Sequence, residues 1–288
     1  MRPIILVLLA LTIFAPVYAE EPQGKAQIAT WADRLSLRQS ELDKNAIEKP
    51  ATLQFVHSSS KGDSYAIDAG LTISVYETDR WFIGPLVEYH RKTETSKEQN
   101  NFQAGLTVIN IYGDVSEGHA LYTQGSLKYV KDKITAGEGL LTKINVTPLY
   151  PDWWMGSARK IGLLDLKVIW QPTVGVQYET TNNVLKTGEH GSAARAFGSI
   201  EVGIYPFAEA LRSNLEIVVR NNYWRNINQT GGYKSKYDQD HNLFQTGLTY
   251  YFDSSRHFGI GIDYSEGENP EEGLLEQANT ILSLRLKF

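Results

Sequence analysis

The amino-acid sequence predicts an all-β fold: a single antiparallel up-and-down β-barrel of about twelve strands that crosses a membrane. Three observations predict it. From Pro50 onward, apolar residues recur at every second position in about twelve separate runs. Each run approaches the roughly 9–11 residues that a tilted strand needs to cross a bilayer. The chain also carries 16 Tyr, 10 Phe and 6 Trp, which suits a barrel with aromatic girdles at headgroup level.

Taken in order, the runs give these outward sets. The first strand carries Leu53 and Phe55. The second carries Tyr65, Ile67, Ala69, Leu71, Ile73 and Val75, against inward Asp68, Gly70, Thr72 and Ser74. The third carries Trp81, Ile83, Pro85, Val87 and Tyr89, against inward Glu88 and His90. Phe102, Ala104, Leu106 and Val108 mark the fourth. The fifth has Leu121, Leu127 and Tyr129 outside and Lys128 inside. The sixth is the least regular, with Leu140, Ile144 and Val146 opposite Lys143 and Asn145. The seventh sets Leu164, Leu166, Val168, Trp170, Val174, Val176 and Tyr178 against Asp165, Lys167, Gln171, Thr173 and Gln177. The eighth sets Ile200, Val202 and Ile204 against Arg195, Ser199 and Glu201. The ninth sets Leu215, Ile217, Val219 and Tyr223 against Glu216, Arg220 and Asn222. The tenth carries Phe244, Leu248, Tyr250 and Phe252. The eleventh sets Phe258, Ile260, Ile262 and Tyr264 against His257, Gly259, Gly261 and Asp263.

The twelfth strand is the segment 282–288, with Leu282, Leu284, Leu286 and Phe288 on one face and Ser283, Arg285 and Lys287 on the other. It resembles the C-terminal signal strand of Gram-negative outer-membrane β-barrels. That resemblance implies an outer-membrane location, periplasmic termini and the barrel-assembly machinery as a partner. The N-terminus agrees: Arg2, a short apolar run and Val17-Tyr18-Ala19 read as a secretory signal peptide over 1–19. Residues 20–50 form an expected N-terminal periplasmic segment. Ile28, Trp31, Leu35 and Leu42 give it a weak helical spacing, so it reads as a short helix, a plug or a leader, and as a surface for a periplasmic partner. The barrel is expected over 51–288, as one domain.

Mean hydropathy is negative, which strands alternating between lipid and lumen produce as readily as a soluble chain does. A soluble sandwich would alternate too, but it needs neither two-sided polarity in every strand nor the two end signals. A net charge of -5 argues against a nucleic-acid partner, which calls for a basic stripe. There is no Cys, hence no disulfide and no Cys-linked lipid anchor. No cofactor is expected.

With periplasmic termini, odd-to-even connections are extracellular and should be the longer set. Residues 91–101, 180–192, 226–240 and 265–275 fit that set. Residues 76–80, 114–118, 207–213 and 253–256 fit compact periplasmic turns. Residues 149–161, with Pro151 and Trp153-Trp154, are too long for their side; a ten-strand count would absorb the sixth strand and this segment.

The chemical candidates each have a plainer reading. His57 beside Ser58-Ser59-Ser60 could serve a lipid hydrolase, or form a polar hairpin turn. Glu88 and His90 share an inner face, as a base and its orienting acid or as two lumen residues. Asp238, Asp240 and His241 resemble part of the acidic and Asp–His pairs of outer-membrane surface proteases, whose second acidic pair has no counterpart here. Glu266, Glu268, Glu271 and Glu272 could hold calcium, or meet lipopolysaccharide through divalent cations. No residue is assigned a catalytic role.

The expected lumen is the most informative surface. Asp68, Glu88, His90, Lys128, Lys143, Asp165, Lys167, Arg195, Glu201, Glu216, Arg220, Asp263 and Arg285 point into it, with Lys287 beyond. Such charges either pair across the interior and close it or line a narrow channel. A barrel of this size encloses more space than eight strands do. The function expected is a narrow channel or porin for small hydrophilic solutes in contact with outer-membrane lipids and lipopolysaccharide. The rivals are a non-conducting structural or surface-interaction barrel and a lipid hydrolase. The acidic-sugar porins, a twelve-strand family, carry dense lumen arginine tracks, and this chain has few.

Overall fold

The structure, a computed structural model, describes residues 35–38, 51–56, 64–93, 98–114, 118–161, 165–184, 188–236, 238–253, 256–270 and 274–286. The expected signal peptide, most of segment 20–50, His57 to Ser60, Leu164, Glu271, Glu272, Lys287 and Phe288 lie outside the described residues. Arg34–Phe288 form one compact unit.

That unit is a closed antiparallel barrel of twelve strands. They are β2 (Ala51–Val56), β3 (Ser64–Ile73), β5 (Trp81–Lys92), β6 (Gln99–Asp114), β7 (His119–Asp132), β8 (Gly137–Leu149), β10 (Leu166–Thr181), β11 (Gly191–Tyr205), β12 (Leu215–Gly231), β13 (Asp240–Tyr251), β14 (Phe258–Asn269) and β15 (Leu274–Leu286). Each pairs with its sequence neighbours, and β15 closes the ring on β2 through Leu282↔Phe55 to Leu286↔Ala51. Short accessory strands β1 (Leu35–Arg38), β4 (Tyr76–Glu77) and β9 (Arg159–Ile161) extend β3, β5 and β10 respectively. No described helix is long and apolar enough to cross a membrane. Below, the base is the end where β15 finishes, and the rim is the opposite end.

Alternation explains why these segments are strands and which way they face. On β5, Trp81, Ile83, Pro85, Val87 and Tyr89 are half-buried or exposed, whereas Phe82, Leu86, Glu88 and His90 are buried. The same inversion runs round the barrel: Leu71, Leu106, Val174, Ile200, Leu248, Ile262 and Leu282 are exposed apolar residues. Aromatic side chains bound this aliphatic belt. Trp170 and Tyr178 on β10 mark its two edges, and with about 3.3 Å rise per residue and a strand tilt near 40° their separation spans roughly 20 Å. A polar interior inside an apolar exterior reverses the usual globular pattern.

Three features differ from the sequence expectation. First, among the described residues the sheet already includes Leu35–Arg38, ahead of the expected start at Ala51. β1 and β2 lie end to end along β3, with Arg38↔Gly70 followed by Thr52↔Asp68. The period of two already present in Leu35-Ser36-Leu37-Arg38 prevails over the weak helical spacing.

Second, the rim connections are not longer than those at the base. β10 runs to Thr181, β12 to Gly231 and β14 to Asn269, so nearly half of the residues expected in the outer loops are strand. Polar residues continue a ladder in water as long as their backbone groups are paired, but they leave no apolar alternation to read.

Third, the interior is not uniformly polar. Phe82, Ile109 and Tyr122 cluster on one inner wall near the base, and Ile169, Tyr205 and Ala208 pack with Val218 on the other. Phe197, Trp224 and Leu243 form a further inner cluster.

The anomalous connection 150–165 is real. β8 pairs with β10 only from Val146↔Val174 toward the rim. Below that point the connection fills the widening gap. Pro151–Trp153 form a 3-10 turn, Met155 bridges Tyr150 and Trp170, and β9 pairs with Leu166 to Val168. Trp170 Nε1 donates to the Trp153 carbonyl at 2.7 Å. The segment therefore lies against the lower end of β10, and the twelve-strand count stands.

Candidate functional site: the charged inner wall

The expected lumen residues fall into three levels. Toward the rim on β3, β5 and β7, Lys128 Nζ donates to Glu88 Oε2 at 3.1 Å. His90 lies between two carboxylates, with Nδ1 at 3.1 Å from Asp68 Oδ1 and Nε2 at 3.7 Å from Glu88 Oε2. Both ring nitrogens thus face carboxylate oxygens, and neither is aimed at a substrate as a general base requires. Cross-strand register brings this group together, since Asp68 pairs with His90. Lys128 reaches Glu88 over Gly105, which lies between them on β6.

On the opposite side of the rim, a polar relay crosses five consecutive strands. Arg195 on β11 donates through Nη1 to Glu179 Oε2 on β10 at 2.6 Å, and through Nε to Asn226 Oδ1 on β12 at 2.9 Å. Asn226 Nδ2 lies 2.9 Å from His241 Nε2 on β13, and His241 Nδ1 is paired with Glu268 on β14. Glu268 reaches the inner face because β14 has a register shift at Gly267, whose φ of 116° suits glycine alone. Tyr233, from the short helix α1 (Tyr233–Lys236), lies under the Arg195 guanidinium at 5.6 Å.

At mid-height Arg220 and Glu201 form a two-pronged pair across β12 and β11, with Nε donating to Oε2 at 2.6 Å. Lys143 sits over the Phe197 ring at 4.8 Å. At the base, Arg285 pairs with Asp263, and Ser283 Oγ donates to Asp263 Oδ2 at 2.6 Å. The inward glycines Gly247 and Gly261 make this possible: a Cβ on Gly247 would stand 2.4 Å from Asp263 Oδ1, and one on Gly261 3.0 Å from Arg285 Nε. Beside them, Glu216 accepts from Tyr205 Oη at 2.7 Å, from Tyr251 Oη at 3.1 Å and from Arg256 Nη2 at 2.6 Å. The Arg256 guanidinium lies over both rings, 5.1 Å from Tyr205 and 4.5 Å from Tyr251. Burial works against its charge, and the adjacent Glu216 carboxylate outweighs that, so Arg256 is held above its ordinary value.

Five ion pairs therefore link β5 to β7, β10 to β11, β11 to β12, β12 to the β13–β14 turn, and β14 to β15. Each of the five runs along the wall, joining adjacent strands or turns or, for Glu88 and Lys128, strands one apart. Sequence reading missed Glu179, Asn226, Tyr205, Tyr251 and Arg256. Inward parity on their strands could have found the first four. Arg256 lies in a turn and gives no such signal.

Asp165 is not on an inner face. It sits in the turn before β10 with φ 44°, and its Oδ2 accepts from the backbone N–H of Glu209 at 2.6 Å and of Ala210 at 3.4 Å. Partial burial would raise its carboxyl, but these N–H donors and Lys160, 3.5 Å from Oδ1, outweigh burial and hold it below its ordinary value. The resulting stabilisation is present above the unfolded-state value near ~3.9 and is lost as pH falls through the depressed folded value. The acid limb of the thermal unfolding midpoint should therefore be shallower in Asp165→Asn than in the wild type. Identical limbs would show that the turn does not depend on this carboxylate.

The protease-like residues do not converge. His241 is buried and inward, whereas Asp240 is exposed and accepts from Tyr223 Oη at 2.5 Å. Glu266 is likewise exposed, paired with Tyr264 at 2.7 Å. Among the described residues no group of three or more His, Asp or Glu is placed to hold a metal ion.

No protein-family model matches the chain, and no curated protein matches it in sequence. Among solved structures the chain is similar to the NanC porin, at 10% identity and TM-score 0.48 over 83% of this chain and 100% of that one. It is similar to an outer membrane channel from Pseudomonas putida F1, at 10% identity and TM-score 0.49 over 85% and 98%. It is also similar to the transport unit of the autotransporter AIDA-I from Escherichia coli, at 10% identity and TM-score 0.43 over 98% and 97%. These neighbours are outer-membrane barrels of differing activity. Likeness at this level assigns no family, solute or activity to the chain.

Proposed function

We propose that this chain is an integral outer-membrane barrel forming a narrow polar passage for small hydrophilic solutes, with its base in the periplasm. The aliphatic belt between aromatic edges supports the membrane location, because a bilayer is the solvent that rewards an apolar exterior on a closed sheet. The observation that carries the passage is the direction of the ion pairs. Each of these five pairs runs along the wall, the arrangement a polar passage needs, while pairs spanning the lumen would tie it shut. Nearly balanced wall charges also imply weak selectivity over most of the length.

A second reading, the non-conducting barrel, is favoured by the inner apolar clusters near the base, since an apolar constriction resists water. Planar-bilayer recording of the refolded protein at neutral pH separates the two. Small stepwise currents are expected; a silent bilayer with demonstrably inserted protein overturns the passage.

A further inference from the structure

We propose that His241 is a proton-sensitive latch at the rim. Its uncharged ring helps Asn226 hold Asp238 and Gln239, on the return from α1 to β13, and protonation of the ring loosens that hold. The donors and acceptors around Asn226 leave its amide one orientation. Arg195 Nε can only donate, so the atom 2.9 Å from it is the amide oxygen. The Asp238 carbonyl can only accept, so the atom 2.6 Å from it is the amide nitrogen. The second hydrogen of that nitrogen is left for His241 Nε2, at 2.9 Å. Nε2 must therefore carry a lone pair. The ring proton sits on Nδ1, which donates it to the Glu268 carboxylate. Arg195 on β11 thus sets the tautomer of a histidine on β13, two strands away.

Asn226 grips the returning chain twice. Its backbone N–H donates to the Gln239 carbonyl at 2.7 Å, and its side chain to the Asp238 carbonyl. A proton on His241 Nε2 sets N–H against N–H on this side of the ring. Turning the amide over would offer Nε2 an oxygen. It would also set the amide nitrogen against Arg195 Nε and the amide oxygen against the Asp238 carbonyl, so the conflict moves and does not vanish. The Glu268 contact survives in both states, because Nδ1 donates in both. The His241 side chain is 1% exposed, so water does not readily take over as the acceptor. The other neighbours do not relieve the conflict. Trp224, directly across on β12, and Leu243, the next inward residue on β13, carry no charge. Glu179 on β10 is engaged by Arg195. Asp238 is exposed, and Asp240 turns outward to Tyr223 and Arg225.

Two measurements on the refolded protein in detergent micelles test the latch, and neither needs conductance. Nitrogen-15 NMR of the six histidines, with His241 assigned by its loss in His241→Gln, reads the tautomer. At about pH 7.5, above the ordinary imidazole range, the His241 ring should be neutral with its proton on Nδ1. A proton on Nε2 there overturns the proposal. Amide hydrogen exchange reads the hold itself. Normalised to the intrinsic rate at each pH, the Asn226 N–H should exchange roughly tenfold faster at about pH 5 than at about pH 7.5, the scale of one buried donor left without an acceptor. The Lys133 N–H, bonded to the Asn100 carbonyl in the β7–β8 turn at 2.9 Å, is the control and should not change. An unchanged Asn226 ratio in the wild type overturns the latch. His241→Gln offers an amide oxygen in place of Nε2 at every pH, so it should keep the slow exchange and lose the pH dependence. A variant that keeps the tenfold change traces it to another group and overturns the assignment to His241. The wild-type exchange decides alone if that variant does not fold.

Discussion

Replacing Glu216 by alanine should destabilise the barrel by about 3–5 kcal/mol, the range for removing one partner of a buried ion pair. Glu216 is 2% exposed and satisfies two tyrosine hydroxyls and a guanidinium at once. Its loss strands Arg256 between two rings, where water cannot readily replace the carboxylate. The paired change Glu216→Leu with Arg256→Met should recover most of the loss, because it removes both charges and keeps the volume. Guanidinium unfolding of the refolded protein in detergent, followed by tryptophan fluorescence, reads both values. A single-variant loss below about 1 kcal/mol, typical of an exposed pair, would mean that the base knot is solvated and does not order the β13–β14 turn.

Val174→Arg should cost about 2–4 kcal/mol, the range for a cation on the lipid face at the bilayer midplane. Val174 is 61% exposed and lies on β10 between Trp170 and Tyr178. In a water-soluble barrel the same substitution at so exposed a site would change stability by no more than about 0.5 kcal/mol. Phe252→Arg, at the base edge of the belt, supplies the internal control, with an expected cost of about 0–1 kcal/mol. Reversible folding into lipid vesicles distinguishes them. Equal costs at the two positions would remove the argument that the belt meets hydrocarbon.

The two substitutions also divide what was legible from what was not. Val174 was readable as outward from period two alone, and the inward parity of residues such as Glu88, Arg195 and Arg220, which are buried, was readable in the same way; the departure of Asp165 into a turn was not. Parity is a local property: once a segment is extended, alternate side chains face opposite ways whatever their neighbours do. Partnership is not local. Glu88 meets Lys128 from two strands away, and Glu179 joins Glu268 through three intervening residues on three other strands. Those contacts depend on register and on inner glycines that leave room for long side chains. Parity also fails wherever a residue is inserted. The shift at Gly267 turns Glu268 inward, so a residue assigned to an outer loop becomes the partner of His241.

Boundaries were the least readable feature, for a related reason. Within the belt, lipid-facing positions must be apolar, so the alternation is strong. Beyond it both faces are polar, and the ladder continues on backbone hydrogen bonds that leave no mark on composition. The turns at the base are opaque in the same way. Nothing in Asp253 to Arg256 indicates that one arginine folds back under the barrel, or that Asp165 leaves its expected wall to hold the neighbouring turn.

By itself the sequence determined the twelve strands, the apolar outer face and the polar identity of the inner one, because a side-chain period of two records which solvent each face meets. Only the tertiary structure decided which charges pair along the wall, that ring and aliphatic side chains cluster inside near the base, and that Asp165 leaves the wall for a turn. Those outcomes follow from cross-strand register, bulges and turn geometry, which bring together residues that the linear order keeps apart.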